Sequence, residues 1–146
     1  RRWLLSACCP LGRALLVGVA IPEHIMDKKQ PQFAIAAVSE SLASSRYVLT
    51  NRVGIGSGLA WTLKRDDIIM YDRQGELRYG LSWPDAQGKF IAGEAFSDWL
   101  AEHRRLGPVS LVLVLGKGES MNDLALPVPN DFYVLGQVVF IQYLPQ

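Results

Sequence analysis

The feature that most constrains this chain is an apolar run from Trp3 to Ile21, preceded by Arg1 and Arg2. A helix of that length extends about 28 Å, and the hydrocarbon core of a bilayer is ~30 Å thick. No initiator methionine precedes the run. We therefore expect the chain to continue a longer membrane protein.

Two other interpretations of the run concern targeting. The basic start, apolar middle and small residues near Gly18 and Ala20 are also typical of a secretory signal peptide. Leu5-Ser6-Ala7-Cys8 has the residue order of a lipoprotein signal, but the apolar stretch follows Cys8 instead of preceding it. The lipoprotein interpretation is therefore the weaker of the two.

The energetics of insertion favour one helix of a bundle over a lone anchor. Arg13 lies in the middle of the run, where an arginine costs about 2.5–3.5 kcal/mol, and the aliphatic residues return about 0.3–0.6 kcal/mol each. The sum is close to zero, and Pro10 interrupts the helical hydrogen bonds. We predict the last spanning helix over residues 1–21, with its basic end in the cytoplasm by the positive-inside rule.

Residues 22–146 have the size of one compact domain, which the orientation of the run places outside the cytoplasm. Three of the chain's 15 basic residues are Arg1, Arg2 and Arg13, which leaves 12 against 14 acidic residues. That balance does not favour nucleic acid as a partner. Both cysteines, Cys8 and Cys9, lie in the apolar run, so the domain has neither a disulfide nor thiolate chemistry.

The apolar patterns predict a mixed α/β fold: a mostly parallel sheet with helices on its faces. Val109–Leu115 is the most apolar strand and is expected at the centre of the sheet. Asn51 is expected to cap the helix that follows it. The remaining predictions are helices at 31–42, 53–64 and 94–105, strands at 46–50, 68–71 and 137–144, a hairpin return arm at 77–81 and a linker at 116–130.

Two glycine-rich segments resemble phosphate-binding loops. Gly54-Ile55-Gly56-Ser57-Gly58 follows a strand, but the third glycine of a dinucleotide fingerprint would fall at Leu59. Gly116-Lys117-Gly118-Glu119-Ser120 lacks the upstream glycine and the Lys-Ser/Thr pair. We interpret the first as close helix–sheet packing and the second as a solvated loop, and keep a soluble nucleotide-binding domain as an alternative.

Other patterns carry little chemistry. His24 and His103 are far apart and have no neighbours at ligand spacing, so we predict no metal site and no cofactor. His103 is expected to complement its helix dipole. The tryptophans Trp61, Trp83 and Trp99 are expected to be core or interface anchors. No nucleophile, base and oxyanion donor come together, so no catalytic residue is assigned.

The resemblance of the chain to a known family rests on several segments. These are Ser45–Asn51, Gly58–Trp61, Lys64–Met70, Gly75–Leu81, Trp83–Gly88 and Gln142–Pro145. They resemble the carboxy-terminal domain of the bacterial undecaprenyl phosphate–aminoarabinose lipid A transferases, and the similarity covers the whole chain.

That resemblance implies a specific activity. The family are inner-membrane glycosyltransferases that move 4-amino-4-deoxy-L-arabinose from undecaprenyl phosphate to lipid A, which confers resistance to polymyxin and cationic peptides. Their proposed catalytic acid lies in an early periplasmic loop that this chain does not contain, so the fragment alone is expected to be inactive. A stand-alone membrane-anchored binding module is the alternative.

Lipid phosphate would be bound here by basic side chains. The candidate contacts in this sequence are Arg46, Arg52, Lys64, Arg65 and Arg78, acting as point or bidentate charges. Ordinary solvated charge is the competing interpretation for each of them.

Overall fold

A computed structural model describes residues 32–146. The helices are α1 (Gln32–Ala37), α2 (Ser39–Ser44), α3 (Val53–Leu63), α4 (Arg78–Leu81) and α5 (Phe96–His103). The strands are β1 (Tyr47–Thr50), β2 (Ile69–Tyr71), β3 (Phe90–Ile91), β4 (Val109–Val114), β5 (Asp131–Leu135) and β6 (Val138–Tyr143). Short 3-10 turns lie at Gly75–Leu77, Pro84–Ala86, Gly93–Ala95 and Met121–Leu124.

The six strands form one mixed sheet in the order β3-β2-β1-β4-β6-β5. Three of its five pairings are parallel: β1 with β2, β1 with β4, and β2 with β3. The β4–β6 and β5–β6 pairings are antiparallel. The predicted mixed, mostly parallel sheet is confirmed, and the most apolar strand, β4, does lie inside it.

Helices cover both faces of the sheet because its central strands are apolar on both sides. On one face, α5 places Phe96 and Leu100 against Leu111 and Leu113 of β4. On the other face, the helices α1, α2 and α3 pack on Val112 of β4. Their contributions to that core are Ile35, Leu42, Ile55 and Leu59.

Most predicted helices and strands are confirmed to within two residues, but one helix is divided. The helix expected over 31–42 is two short helices separated by a turn at Val38. The Ser39 hydroxyl donates to the Ala36 carbonyl, 2.9 Å away, and so supplies the local side-chain bond that competes with helical pairing.

The hairpin expected from β2 to residues 77–81 is wrong. Residues 75–81 are helical, and β3 pairs with β2 in parallel. Gly75 has a φ of +51°, a left-handed conformation that suits glycine, and it begins the 3-10 turn that takes the place of the expected strand. The antiparallel hairpin of this fold is instead β5–β6, whose first strand the pattern missed.

The expected membrane-spanning helix at residues 1–21 lies outside the described residues. Within residues 32–146, no helix has both the length and the hydrophobicity needed to cross a bilayer.

Candidate functional site

The parallel strands end together at what we call the carboxyl edge of the sheet. From β1 the chain proceeds to β2 and β3 on one side, and it returns to β4 on the other side. Such a reversal of strand order opens a crevice in which α/β proteins commonly bind ligands. The crevice lies here between the ends of β1 and β4.

Asn51 occupies that crevice. Its side-chain oxygen accepts a hydrogen bond from the Val114 N–H at 2.8 Å, and its side-chain nitrogen donates to the Val114 carbonyl at 3.1 Å. Asn51 is buried, and Arg52 stands at the N-cap position of α3 without a side-chain cap. The expected helix-capping role of Asn51 is therefore wrong, because its amide pairs with the end of β4 instead.

Three charged side chains, Asp72, Arg73 and Glu119, form an ion cluster at the same edge. A guanidinium nitrogen of Arg73 lies 3.1 Å from a Glu119 carboxylate oxygen, and Asp72 lies 3.9 Å from Arg73. The second Glu119 oxygen accepts the Gly116 N–H at 2.6 Å. The hydrogen bond from the Gly116 N–H, and then the one from Arg73, lower the pKa of Glu119 because both favour the ionised carboxylate.

Neither glycine-rich segment offers phosphate a free cradle. Gly54, Gly56 and Gly58 all lie within α3 rather than in a turn before it. A Cβ at Gly56 would lie 3.3 Å from a Thr50 methyl group, which is the close packing that the sequence indicated. In the second segment, the Gly116 N–H already donates its hydrogen bond to the Glu119 carboxylate.

The opposite, amino edge of the sheet holds three of the five candidate phosphate contacts. Arg46 directly precedes β1, while Lys64 and Arg65 lie between α3 and β2. Arg65 donates to the carbonyl of Arg46 at 2.6 Å, so these segments are in direct contact. Arg52 and Arg78 follow the carboxyl ends of β1 and β2, so the five candidates do not form one site.

Arg65 is fully engaged by the protein. Its guanidinium donates to both Asp67 oxygens at 2.7 Å and to the carbonyls of Ser45 and Arg46 at 2.6 Å. The bond to Asp67 raises the pKa of Arg65, and the same bond lowers the pKa of Asp67. This geometry fastens the start of β1 to the start of β2.

Arg46 and Lys64 are exposed and lie beside aromatic rings. The Lys64 ammonium lies 4.0 Å from the centre of the Trp61 ring, and the Arg46 guanidinium lies 5.7 Å from that of Tyr47. Trp61 itself is 76% exposed, so it is not a core residue. A cation over an aromatic face is attracted by the ring's quadrupole, which holds these charges near the amino edge.

Sequence reasoning missed Lys89 at the same edge. Lys89 directly precedes β3, and its ammonium donates to the Asp66 carbonyl at 2.9 Å. A basic residue thus lies shortly before each of the parallel strands β1, β2 and β3. That recurrence was visible in the sequence, but recognising it required the parallel pairing with β3.

The side chains of Trp99, His103 and Trp83 each pack against another aromatic ring. Trp99 is half-buried and stacks on His103 at 4.1 Å, and a His103 ring nitrogen lies 2.8 Å from the Trp99 carbonyl. Trp83 is 54% exposed and meets Tyr79 edge-on. In the described part of the chain, no three His, Cys, Asp or Glu residues group in a way that could hold a metal ion.

Comparison with known proteins shows one family. Residues 26–142 match the family model described as "Arabinosyl transferase ArnT, C-terminal domain". No solved structure matches significantly.

Three curated relatives carry the name of one transferase. The chain is 52% identical over its full length to the undecaprenyl phosphate-alpha-4-amino-4-deoxy-L-arabinose arabinosyl transferase of Erwinia tasmaniensis. It is 49% and 44% identical to the proteins of that name from Edwardsiella ictaluri and Serratia proteamaculans. The chain spans about a quarter of each relative's length (26%).

Proposed function

Because the chain belongs to the family of ArnT carboxy-terminal domains, we propose that it is the carboxy-terminal part of a bacterial aminoarabinose transferase. The intact enzyme would move 4-amino-4-deoxy-L-arabinose from undecaprenyl phosphate to lipid A. The added amine offsets phosphate charge on the outer membrane, which weakens the binding of polymyxin and other cationic peptides. The family match over residues 26–142 is the observation that carries this proposal.

The membrane arrangement is part of the same proposal. The apolar run and its basic flank support a last spanning helix at residues 1–21, with residues 22–146 as a periplasmic domain. The enzyme would then lie in the inner membrane, with its carboxy-terminal domain beside the lipid substrates.

The domain would act by binding or positioning lipid rather than by chemistry. Asn51 lies in its carboxyl-edge crevice and bonds Val114, and beside that crevice Arg73 and Glu119 bond each other. We propose that the domain covers the catalytic cavity of the upstream part and helps to gate lipid access. The fragment alone would be inactive because the proposed catalytic loop lies upstream.

The candidate phosphate contacts differ in their availability. Four of them are exposed: Arg46, Arg52, Lys64 and Arg78. The Arg65 guanidinium instead donates its hydrogen bonds to Asp67 and to two backbone carbonyls. We propose Arg46 and Lys64, which share the amino edge, as the first pair to contact lipid phosphate. Arg52 and Arg78 would form separate contacts, and Arg65 would hold the edge in shape.

A chimera tests the proposed function. The present 146 residues replace the matching quarter of the Erwinia tasmaniensis relative, which is expressed in a polymyxin-sensitive strain lacking its own transferase. We expect growth on polymyxin similar to that with the intact relative, and none with the relative truncated before this segment. A chimera that reaches the membrane at the normal level and leaves cells sensitive would contradict the proposal.

A further inference from the structure

The edge strand β5 is the most exposed apolar element in residues 32–146. It is the last strand of the sheet and pairs only with β6. All five of its residues are exposed, and four of them are large and apolar. Their exposed fractions are 55% for Phe132, 46% for Tyr133, 47% for Val134 and 41% for Leu135.

The register shows that β5 continues both faces of the core. Phe132 lies opposite Ile141 and Val134 opposite Val139, on the face covered by α5. Tyr133 lies opposite Phe140, on the face covered by α1, α2 and α3. The exposed fractions show that the helical layers stop short of β5, which leaves both of its faces uncovered among the described residues.

The strand also lacks the features that normally protect an edge. Natural edge strands carry lysine, proline or a bulge that discourages pairing with another strand. Asp131-Phe132-Tyr133-Val134-Leu135 has none of these within it, and its only charge is at the first position. Its outer backbone groups and apolar side chains suit an extended apolar segment added by strand pairing.

We propose that β5 is the docking site for an extended apolar segment of the polypeptide that precedes this chain in the intact enzyme. This inference rests on the proposed function. The matched relatives are about four times as long, and the family describes this part as their carboxy-terminal domain. A segment of the same polypeptide is present at high effective concentration, an advantage that a second copy of the chain lacks.

Site-specific crosslinking in the chimera tests the docking. The photoreactive residue p-benzoylphenylalanine replaces Tyr133 in one variant and Val134 in another, so that each face of β5 is sampled. Trp83 is the control position, because it is aromatic and, at 54%, more exposed than either residue. We expect crosslinks from β5 to upstream residues and at least fivefold fewer from position 83.

Other crosslinking results would overturn the proposal. They are crosslinks to residues 1–31, to a second copy distinguished by its tag, to lipid, or to no protein. Crosslinks are scored whether or not the variant is active, and polymyxin resistance of the unsubstituted chimera tests the function separately. A resistant chimera without upstream crosslinks would therefore contradict the docking alone.

A charge substitution gives a second readout. Val134→Lys places an ammonium on the docking strand, and Trp83→Lys places one on an exposed position away from it. We expect Val134→Lys to lower the amount of aminoarabinose-modified lipid A at least fivefold and Trp83→Lys to leave it within twofold. Equal effects of the two substitutions would overturn the proposal. Circular dichroism of both purified variants confirms that each retains its fold.

Discussion

The side chain of Asn51 forms two hydrogen bonds with the backbone of Val114, at 2.8 and 3.1 Å, and so joins the carboxyl ends of β1 and β4. The Asn51 amide pairs with Val114 as a backbone peptide group would, at the point where the strand order reverses. The Asn51 amide thus lies at the position where sheets of this strand order commonly bind a ligand.

Removing the Asn51 amide should destabilise the domain. Asn51→Ala removes the side-chain partners of the partly buried N–H and carbonyl of Val114, so we expect a loss of about 1–3 kcal/mol in the free energy of unfolding. Urea denaturation measures it. Asn130→Ala is the control, because Asn130 also accepts a backbone N–H, from Leu144, but is exposed. An equal or smaller loss for Asn51→Ala would contradict the role given to it.

Two glycines of α3 should respond to alanine with opposite signs. A Cβ at Gly56 would lie 3.3 Å from the buried Thr50 methyl group, whereas a Cβ at Gly54 would meet nothing within 4 Å. We expect Gly56→Ala to destabilise by about 1 kcal/mol through overpacking. Gly54→Ala should stabilise by about 0.5–1 kcal/mol, because alanine favours the helix. Thermal unfolding compares the two, and the same sign for both would contradict the packing role of Gly56.

Arg65 should be required for stability and should not be replaceable by lysine. Lysine has three N–H donors on one nitrogen and cannot reproduce the four hydrogen bonds of the Arg65 guanidinium, so we expect Arg65→Lys to cost about 1–2 kcal/mol. Arg78→Lys, at an exposed position, should change stability by less than about 0.5 kcal/mol. Chemical denaturation of both variants measures the difference. Equal stability of the two would show that the Arg65 contacts contribute little.

The Arg65–Asp67 pair also predicts a pH dependence. The folded-state pKa of Asp67 is lowered, chiefly by its hydrogen bond from Arg65. The stabilisation is therefore fully present above the unfolded-state pKa of about 4, and it is lost as the pH falls through the folded-state pKa. Because Asp67 is largely exposed, we expect about 0.2–1 kcal/mol. Asp67→Asn should reduce the acid-induced loss of stability, and an unchanged pH profile would contradict this assignment.

The central strands could be predicted because a strand that is buried on both faces is recognisable as a short, continuous apolar run. β1, β2, β4 and β6 are short apolar runs of the kind found in sheets that are covered on both faces. β5 escaped detection because it follows a loop that contains Pro127 and Pro129, and because Gly136 comes directly after it. β3 has two residues, too few for any period, and only its parallel pairing with β2 identifies it.

The site was harder to predict because charge alone does not give position. The type and approximate place of Arg46, Lys64 and Arg65 could be read from the sequence. Their common edge, and the engagement of Arg65 by Asp67, depend on strand order and on a bond that spans two elements. Arg52 and Arg78 looked equivalent to them in the sequence and lie beyond the other ends of the strands.

The exposed cations of the amino edge should matter for the reaction of the intact enzyme. In the chimera, Arg46→Ala combined with Lys64→Ala should lower the fraction of modified lipid A at least threefold at an unchanged protein level. Lys117→Ala, which removes one positive charge from an exposed loop at the carboxyl edge, is the control and should have no effect. Normal lipid A modification in the double variant would remove these residues from lipid recognition.

Mass spectrometry of lipid A tests the proposed enzyme most directly. Lipid A is extracted from cells that carry the chimera, the intact Erwinia tasmaniensis relative, or that relative truncated before the matching segment. We expect lipid A bearing aminoarabinose with the chimera and the intact relative, and unmodified lipid A with the truncation. Unmodified lipid A from cells that hold normal amounts of the chimera in their membranes would contradict the assignment of this chain to the transferase.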